Sequence, residues 1–197
     1  MNTNPLKNDC IRISDTLQLR PISIEDQKEL YALMKRIYPP AYIDYWKDNG
    51  NWYVNSLYTF ENVQKELSEE NTRYYFVLLD NKIIGILRIV YEVDMYHNND
   101  KSFVKLHRLY LDQNIQNRGV GKQLMHWLLN KVQQEGYPKI WLDAMEMQPQ
   151  ALHFYKKLGF EIVDKVSLDF PLLIDEYRGM FKMVKILHEG LLVNNQK

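Results

Sequence analysis

The 197-residue sequence holds a single cysteine, Cys10, which excludes an intrachain disulfide. No histidine lies near it and it opens a strand-like segment, which argues against a catalytic thiol. Charge of neither sign is in excess: 25 Lys and Arg stand against 25 Asp and Glu. The basic field that non-specific nucleic-acid binding needs is therefore missing, and no nucleic-acid partner is expected. No run approaches the roughly 18 apolar residues of a membrane span, and Met1-Asn-Thr-Asn-Pro-Leu-Lys-Asn8 lacks the apolar core of a signal peptide. No membrane association is expected, and a cytoplasmic protein is the default. His97, His126, His153 and His188 show no metal-ligand spacing with one another or with carboxylates, so no metal is expected. Internal repeats, low-complexity tracts and interdomain linkers are also missing. The simplest organisation is one domain over residues 1–197, with 1–8 and 189–197 as loose ends, and such a chain can bury about 70% of its unfolded surface.

What is present is organised around residues 105–124, Lys-Leu-His-Arg-Leu-Tyr-Leu-Asp-Gln-Asn-Ile-Gln-Asn-Arg-Gly-Val-Gly-Lys-Gln-Leu. Leu106, Leu109, Tyr110 and Leu111 predict a strand, and polar residues 112–117 a turn. Val120, Leu124, Trp127, Leu128 and Val132 then fall on one helix face. A strand that feeds a helix through Gln116-Asn-Arg-Gly-Val-Gly121 outlines a phosphate cradle. The first helical N–H groups lack intrahelical partners, and Gly119 and Gly121 have no Cβ to keep a bulky anion off the backbone. Arg118 adds a cation. The Walker pattern fails at Gln116 and Gln123, and the dinucleotide fingerprint fails at Leu124.

A second segment, Gln148-Pro-Gln-Ala-Leu-His-Phe-Tyr-Lys-Lys-Leu-Gly-Phe160, reads as a helix started by Pro149 and stopped by Gly159. Ala151, Phe154, Tyr155 and Leu158 form its apolar stripe. Around these two segments, residues 10–20 predict a strand bent at Ser14-Asp15. Ser23 and Asp26 begin a helix to about Ile37, ended by Pro39-Pro40. An aromatic-rich stretch over 41–58, broken at Asn49-Gly50-Asn51, precedes a helix over 59–69. Strands follow at 73–79 and 83–93, joined by a hairpin at Asn81-Lys82, and at 103–111 after a longer turn over 95–100. The helix of 118–134 leads to a short buried strand at 140–142. Two closing strands at 160–168 and 178–187 flank a loop over 169–177. The alternation along 105–109 puts Lys105, His107 and Leu109 on one face.

The first segment resembles the acyl-CoA-binding motif, Gln/Arg-x-x-Gly-x-Gly/Ala, of the GNAT superfamily of acetyl-CoA-dependent N-acetyltransferases. The second resembles that family's Asn-x-x-Ala-x-x-Phe-Tyr-x-Lys-x-Gly-Phe signature. It matches at Ala151, Phe154, Tyr155, Lys157, Gly159 and Phe160 and departs at Gln148, where Asn is usual. The close resemblance covers roughly residues 103–165; beyond it the element order carries the likeness. It implies an α/β GNAT fold: a mixed, largely antiparallel sheet flanked by helices, whose parallel fourth and fifth strands (103–111 and 140–142) splay apart.

The resemblance also implies the site. Acetyl-CoA would be the cosubstrate, its pantetheine arm pairing with the backbone of Leu109, Tyr110 and Leu111. Its pyrophosphate would rest on the amides of Gln116, Asn117, Arg118, Gly119, Val120, Gly121 and Lys122. Gln148 stands where the family's Asn contacts the cofactor arm. Tyr155 stands at the general-acid position, a core tyrosine being the other reading. For the base, His107 is one candidate, against a structural histidine, and Glu92 and Asp94 are rivals. The acceptor site would be walled by residues 38–60 and 169–177, with Tyr38, Tyr42, Tyr45, Trp46 and Trp52 beside Asp44, Asp48, Asp175 and Glu176. Aromatic faces beside carboxylates suit a small primary amine or polyamine, as in the diamine/polyamine branch; a lid with solvated acids is the plain reading. A protein or peptide N-acetyltransferase and a non-catalytic acyl-CoA sensor remain open. Exposed strands near the C-terminal end are where a homodimer would pair.

Overall fold

The computed structural model describes residues 10–96, 99–116 and 118–187. The expected loose ends at 1–8 and 189–197, together with Asn117 of the cradle, lie outside the described residues. The first strand divides at the anticipated bend into β1 (Ile11–Arg12) and β2 (Leu17–Pro21), which pair antiparallel. Ser23 donates its backbone N–H to Asp26 at 3.0 Å, half of the capping box from which α1 (Gln27–Tyr42) departs. The helix does not stop at the double proline; Pro39 and Pro40 lie inside it. They remove two N–H donors from its last turn. In compensation Tyr38 and Tyr42, one turn apart, stack with centroids 4.5 Å apart, and Tyr38 is buried. A 3-10 turn over Ile43–Tyr45 leads to α2 (Asn51–Leu57) and α3 (Phe60–Ser68). Thr59 caps α3 by accepting the Asn62 amide at 3.2 Å.

Then come β3 (Thr72–Leu79), β4 (Lys82–Val93), β5 (Phe103–Leu111), α4 (Val120–Gln134), β6 (Lys139–Met145), α5 (Pro149–Lys157), β7 (Glu161–Ser167) and β8 (Gly179–Ile186). The β3–β4 hairpin turns on Asp80 and Asn81 rather than on Asn81-Lys82. Both have positive φ, 50° and 62°, as a two-residue hairpin of the favoured twist demands, and Lys82 already pairs with Leu79. The eight strands form one sheet in the order β1-β2-β3-β4-β5-β6-β8-β7, with β5 and β6 parallel and the other pairs antiparallel. One face buries Val120, Leu124, Leu128 and Val132 of α4. The other buries Leu30, Leu33, Met34 and Ile37 of α1 with Val54 and Val63 of the two following helices.

The feature that positions the site is in β5. It pairs with β4 as far as Leu111 but with β6 only from Phe103 to Leu106. Arg88 pairs with Arg108 and Ile89 with Leu106, so His107 is an extra residue on β5. Such a bulge increases local twist, and this one stands immediately past the last β5–β6 pair, where the two strands diverge. It also breaks the alternation. Val104, Leu106, Leu109 and Leu111 share one core, whereas Tyr110 joins the opposite one. The expected common face of Lys105, His107 and Leu109 is thereby corrected: His107 bonds Arg88, whose neighbours Leu87 and Ile89 lie in the Leu109 core.

Close pairing of β4 and β5 depends on Gly85, where an added Cβ would sit 2.2 Å from the Tyr110 carbonyl oxygen. Gly85→Ala is expected to destabilise the protein by about 1–3 kcal/mol. Urea denaturation checks this; an unchanged midpoint would show that the pair opens without cost.

Candidate active site

Two arginines face each other across the β4–β5 pair, and both are buried: Arg88 is 3% exposed and Arg108 6%. Like charges directly opposite repel, so the arrangement requires a counter-charge. Glu66 of α3 supplies it, 2.7 Å from Arg108 and 3.4 Å from Arg88. Glu69 adds a second carboxylate 2.5 Å from Arg88. Arg88 also lies 2.8 Å from Nδ1 of His107. A guanidinium only donates, so Nδ1 is the acceptor and the neutral imidazole carries its proton on Nε2. Burial, then the charges of Arg108, Arg88 and Lys105, push the His107 pKa down to about 2. This geometry weighs against the expected role of His107 as general base. Its one lone pair is engaged by Arg88, and what remains is an N–H donor.

Beyond Leu106 and Leu142 the diverging strands open a cavity of about 330 Å³. Its β-strand walls include His107, Arg108, Leu109 and Tyr110 on one side and Asp143, Ala144 and Met145 on the other. Tyr155 enters from α5, and Tyr38, Tyr42, Tyr45, Trp46 and Tyr53 form the aromatic wall. Tyr38 stacks on Tyr53 at 4.3 Å, the Tyr53 and Tyr110 hydroxyls are 2.9 Å apart, and Trp46 donates Nε1–H to the Tyr38 hydroxyl at 3.1 Å. Burial raises the pKa of Tyr38, Tyr42 and Tyr110, so these hydroxyls stay neutral. The segment around Trp46 is tied to the loop before β8. Trp46 bridges Leu173, Lys47 donates to Leu172 O, Ile174 donates to Tyr45 O, both at 2.9 Å, and Tyr45 stacks on Tyr177 at 4.3 Å.

Tyr155 lies between Phe154 and Phe160, with ring centroids 5.3 and 5.8 Å away. Burial pushes its pKa up to about 12, so it is a protonated phenol at neutral pH. Gln148, at the start of α5, interacts with the Tyr42 and Tyr45 hydroxyls and lowers both against the upward pull of burial. Its amide is thus engaged by the aromatic wall as well as lining the cavity.

The cradle turn begins at Asp112, which accepts the Asn114 amide at 3.0 Å and is ion-paired with Arg36 of α1. The amides of Gln116 and Arg118 are consumed inside the turn, bonding Gln113 O at 3.1 Å and Ile115 O at 3.4 Å. The first i→i−4 bond of α4 runs from Gln123 N–H to Gly119 O. The amides of Val120, Gly121 and Lys122 precede it and have no such partner among the described residues, so the donor set is narrower than residues 116–122. Gly119 stands at φ +76° with nothing within 4 Å of where a Cβ would be. An added Cβ at Gly121 would come no nearer than 3.7 Å to Phe154. Open amides under a bare backbone fit a pyrophosphate.

The expected acids do not line the cavity. Asp48 accepts the Gly50 and Trp52 amides, and Asp175 pairs with Arg178 at 2.8 Å. Glu92 lies near Tyr137, away from the cavity, and Asp94 does not line it either. Tyr53 and Phe170 fall in the segments expected to wall the site without having been singled out there, and sequence reasoning missed Asp143. Asp143 had a signal: a charge directly after the buried run Ile140-Trp-Leu142.

The sequence matches the model of the acetyltransferase (GNAT) family over residues 28–160. An uncharacterized N-acetyltransferase in the pepI 3' region of Lactobacillus delbrueckii subsp. lactis is 24% identical over 144 residues, 70% of this chain and 80% of that protein. Among solved structures, the PaiA N-acetyltransferase of Thermoplasma acidophilum with coenzyme A is 20% identical, with TM-score 0.68 over 87% of this chain and 99% of that one. The ribosomal L7/L12 alpha-N-protein acetyltransferase RimL with coenzyme A is 16% identical, with TM-score 0.71 over 91% and 98%. The N152L mutant of the spermidine N-acetyltransferase SpeG of Vibrio cholerae is 19% identical, with TM-score 0.61 over 88% and 95%.

Two expectations follow. The unfolded chain protonates His107 below its ordinary pKa of about 6.5, whereas the folded chain keeps it neutral down to about 2. The stability this contributes is complete above about pH 6.5 and is lost as pH falls toward 2. His107→Gln should remove that component, so the stability difference between parent and variant should move against the parent from about pH 7 to about pH 5 in urea titrations. A constant difference would mean that His107 takes up its proton normally. At the cradle, Gly119→Val puts a β-branched side chain at positive φ and over the open amides. It should weaken acetyl-CoA binding by roughly tenfold or more in calorimetry, with a lowered but cooperative melt.

Proposed function

The chain belongs to the GNAT acetyltransferase family, and from that premise we propose that it transfers the acetyl group of acetyl-CoA to a primary amine of a small molecule. The observation that carries this reading is the cavity of about 330 Å³ at the divergence of β5 and β6, with Tyr155 on its wall. A small acceptor fits such a space. The pairing of Trp46 and Lys47 with Leu172 and Leu173 borders it and narrows the room for a peptide chain.

In this reading the amides of Val120, Gly121 and Lys122 hold the pyrophosphate, with Arg118 as the neighbouring cation. The backbone of Leu109, Tyr110 and Leu111, unpaired toward β6, receives the extended arm. Acetyl-CoA supplies an activated acyl group. The chain's own residues then have three tasks. The first is to let an amine arrive neutral: an alkylammonium of pKa ~10.4 sits ~3.4 units above neutrality, a cost of roughly 4.6 kcal/mol. The aromatic wall keeps the place dry, which favours the uncharged form. The second is to stabilise charge on the carbonyl oxygen, a task this reading gives to a backbone N–H of Leu109 or Tyr110 beside the bulge. The third is to protonate the departing sulfur. Tyr155, held as a phenol by burial, gives its proton there and recovers one from the acylated nitrogen.

Incubation with acetyl-CoA and a panel of spermidine, a diamine and an N-terminal peptide tests the reading through free-thiol release. Small amines should give the larger kcat/KM. Tyr155→Phe should lower kcat by roughly 10²-fold while the acetyl-CoA dissociation constant stays nearly the same. A tenfold preference for the peptide would replace the small-amine reading with a protein acetyltransferase. Absence of acetyl-dependent thiol release with every acceptor would leave a non-catalytic acyl-CoA-binding protein.

A further inference from the structure

With the His107 lone pair engaged by Arg88, the anions of the cavity come into question. Asp143 is the sole carboxylate among the described residues lining the cavity. It stands on β6 one position past Leu142, the last residue paired with β5, so it faces the space where the strands separate. Its two oxygens differ. Oδ2 is 2.8 Å from Nζ of Lys105. Oδ1 is buried and has no hydrogen-bond partner among the described residues.

The surrounding groups leave Oδ1 to an incoming ligand. From β5, Lys105 is on the other oxygen, His107 is turned to Arg88, and Arg108 is neutralised by Glu66 at 2.7 Å. From β8, Lys182 pairs in register with Asp143, but its Nζ lies over the Trp141 ring at 5.8 Å and 3.9 Å from Asp164. Tyr155 from α5, and Tyr42 and Tyr45 from α1 and the turn after it, are neutral phenols on the same cavity wall. A carboxylate oxygen withdrawn from water without a donor is an unfavourable state, relieved when a donor arrives. The donor that fits is an ammonium or amine N–H, presented against tyrosine faces that also favour a cation.

We propose that Asp143 Oδ1 is the acceptor-binding group of this enzyme, taking an N–H of the acceptor's amine at the mouth of the splayed strands. This rests on the acetyl-transfer reading above. The same contact serves two states of the ligand. It draws the ammonium in by charge, and once a proton has left to solvent it still accepts one N–H and so orients the nitrogen lone pair. Asp143 is thereby a specificity-determining residue for basic acceptors.

The test compares Asp143→Asn with Lys105→Met, using whichever amine of the panel the parent enzyme acetylates. Asp143→Asn should raise the amine KM by roughly 10- to 100-fold, with the acetyl-CoA dissociation constant within about twofold of the parent. Lys105→Met should lower the amine KM, because the carboxylate then meets the ammonium uncompensated. A structural ion pair predicts instead that both variants change alike, since each removes one partner of the same contact. Parallel effects, or an unchanged amine KM in Asp143→Asn, would overturn the assignment. If Asp143→Asn does not fold, Asp143→Ser carries the same comparison. Failure of the parent to release thiol with any amine would defeat the acetyl-transfer reading itself, whereas a parent that turns over beside an indifferent Asp143→Asn would defeat only this assignment.

Discussion

A single extra residue in β5 is the constraint from which the rest of the site follows. A strand paired on both sides to its full length would leave no space between β5 and β6, and every backbone group there would be satisfied within the sheet. The bulge at His107 adds twist just past the Leu106–Leu142 pair, so β5 stays with β4 while β6 departs. The divergence does two things at once. It exposes unpaired backbone on one strand and opens a cavity into which side chains from both strands project. It also changes which side chains those are, because the alternation is reset at the bulge and Arg108 and Tyr110 turn toward the helices of α1 to α3.

That reset has an electrostatic consequence that the fold must meet. Arg88 and Arg108 become direct neighbours in a nearly dry environment, and burying two like charges is tolerable only with a counter-ion between them. Glu66 is that ion, itself 7% exposed. It comes from α3, so the packing of α3 on the sheet and the ion pairing of the strands depend on each other. His107 is then fixed as a neutral donor through Arg88. The buried cation network lies beneath an aromatic wall, and among the described residues lining the cavity a single carboxylate stands out.

The aromatic wall shows how local rules yield to packing. Proline pairs ordinarily end helices, yet α1 continues to Tyr42 because Tyr38 and Tyr42 are held in a stack that extends through Tyr53 to Tyr110. Side-chain burial outweighs two missing backbone donors. The tie between Tyr45 to Lys47 and Leu172 to Ile174 joins segments more than a hundred residues apart in the chain, and it brings both segments to the cavity wall.

Read alone, the sequence determined the order of elements, the strand–turn–helix cradle and the two signatures that mark the family. All of these are local: apolar periods of 2 and 3.6, the capping pair Ser23 and Asp26, and glycines where the backbone must turn or stay bare. It could not determine which way side chains of β5 point, because a period of 2 assumes an unbroken ladder and the bulge at His107 depends on the register with β4. Nor could it separate the acids that face the cavity from those that cap and pair elsewhere. Asp44, Asp48, Asp175 and Glu176 sit in the right segments but outside the lining, while Asp143 sits in a strand read as a buried apolar run. The state of His107 was decided by an arginine on the neighbouring strand. Tertiary structure settled these points because each depends on contacts between residues far apart in the chain, and no local pattern encodes them.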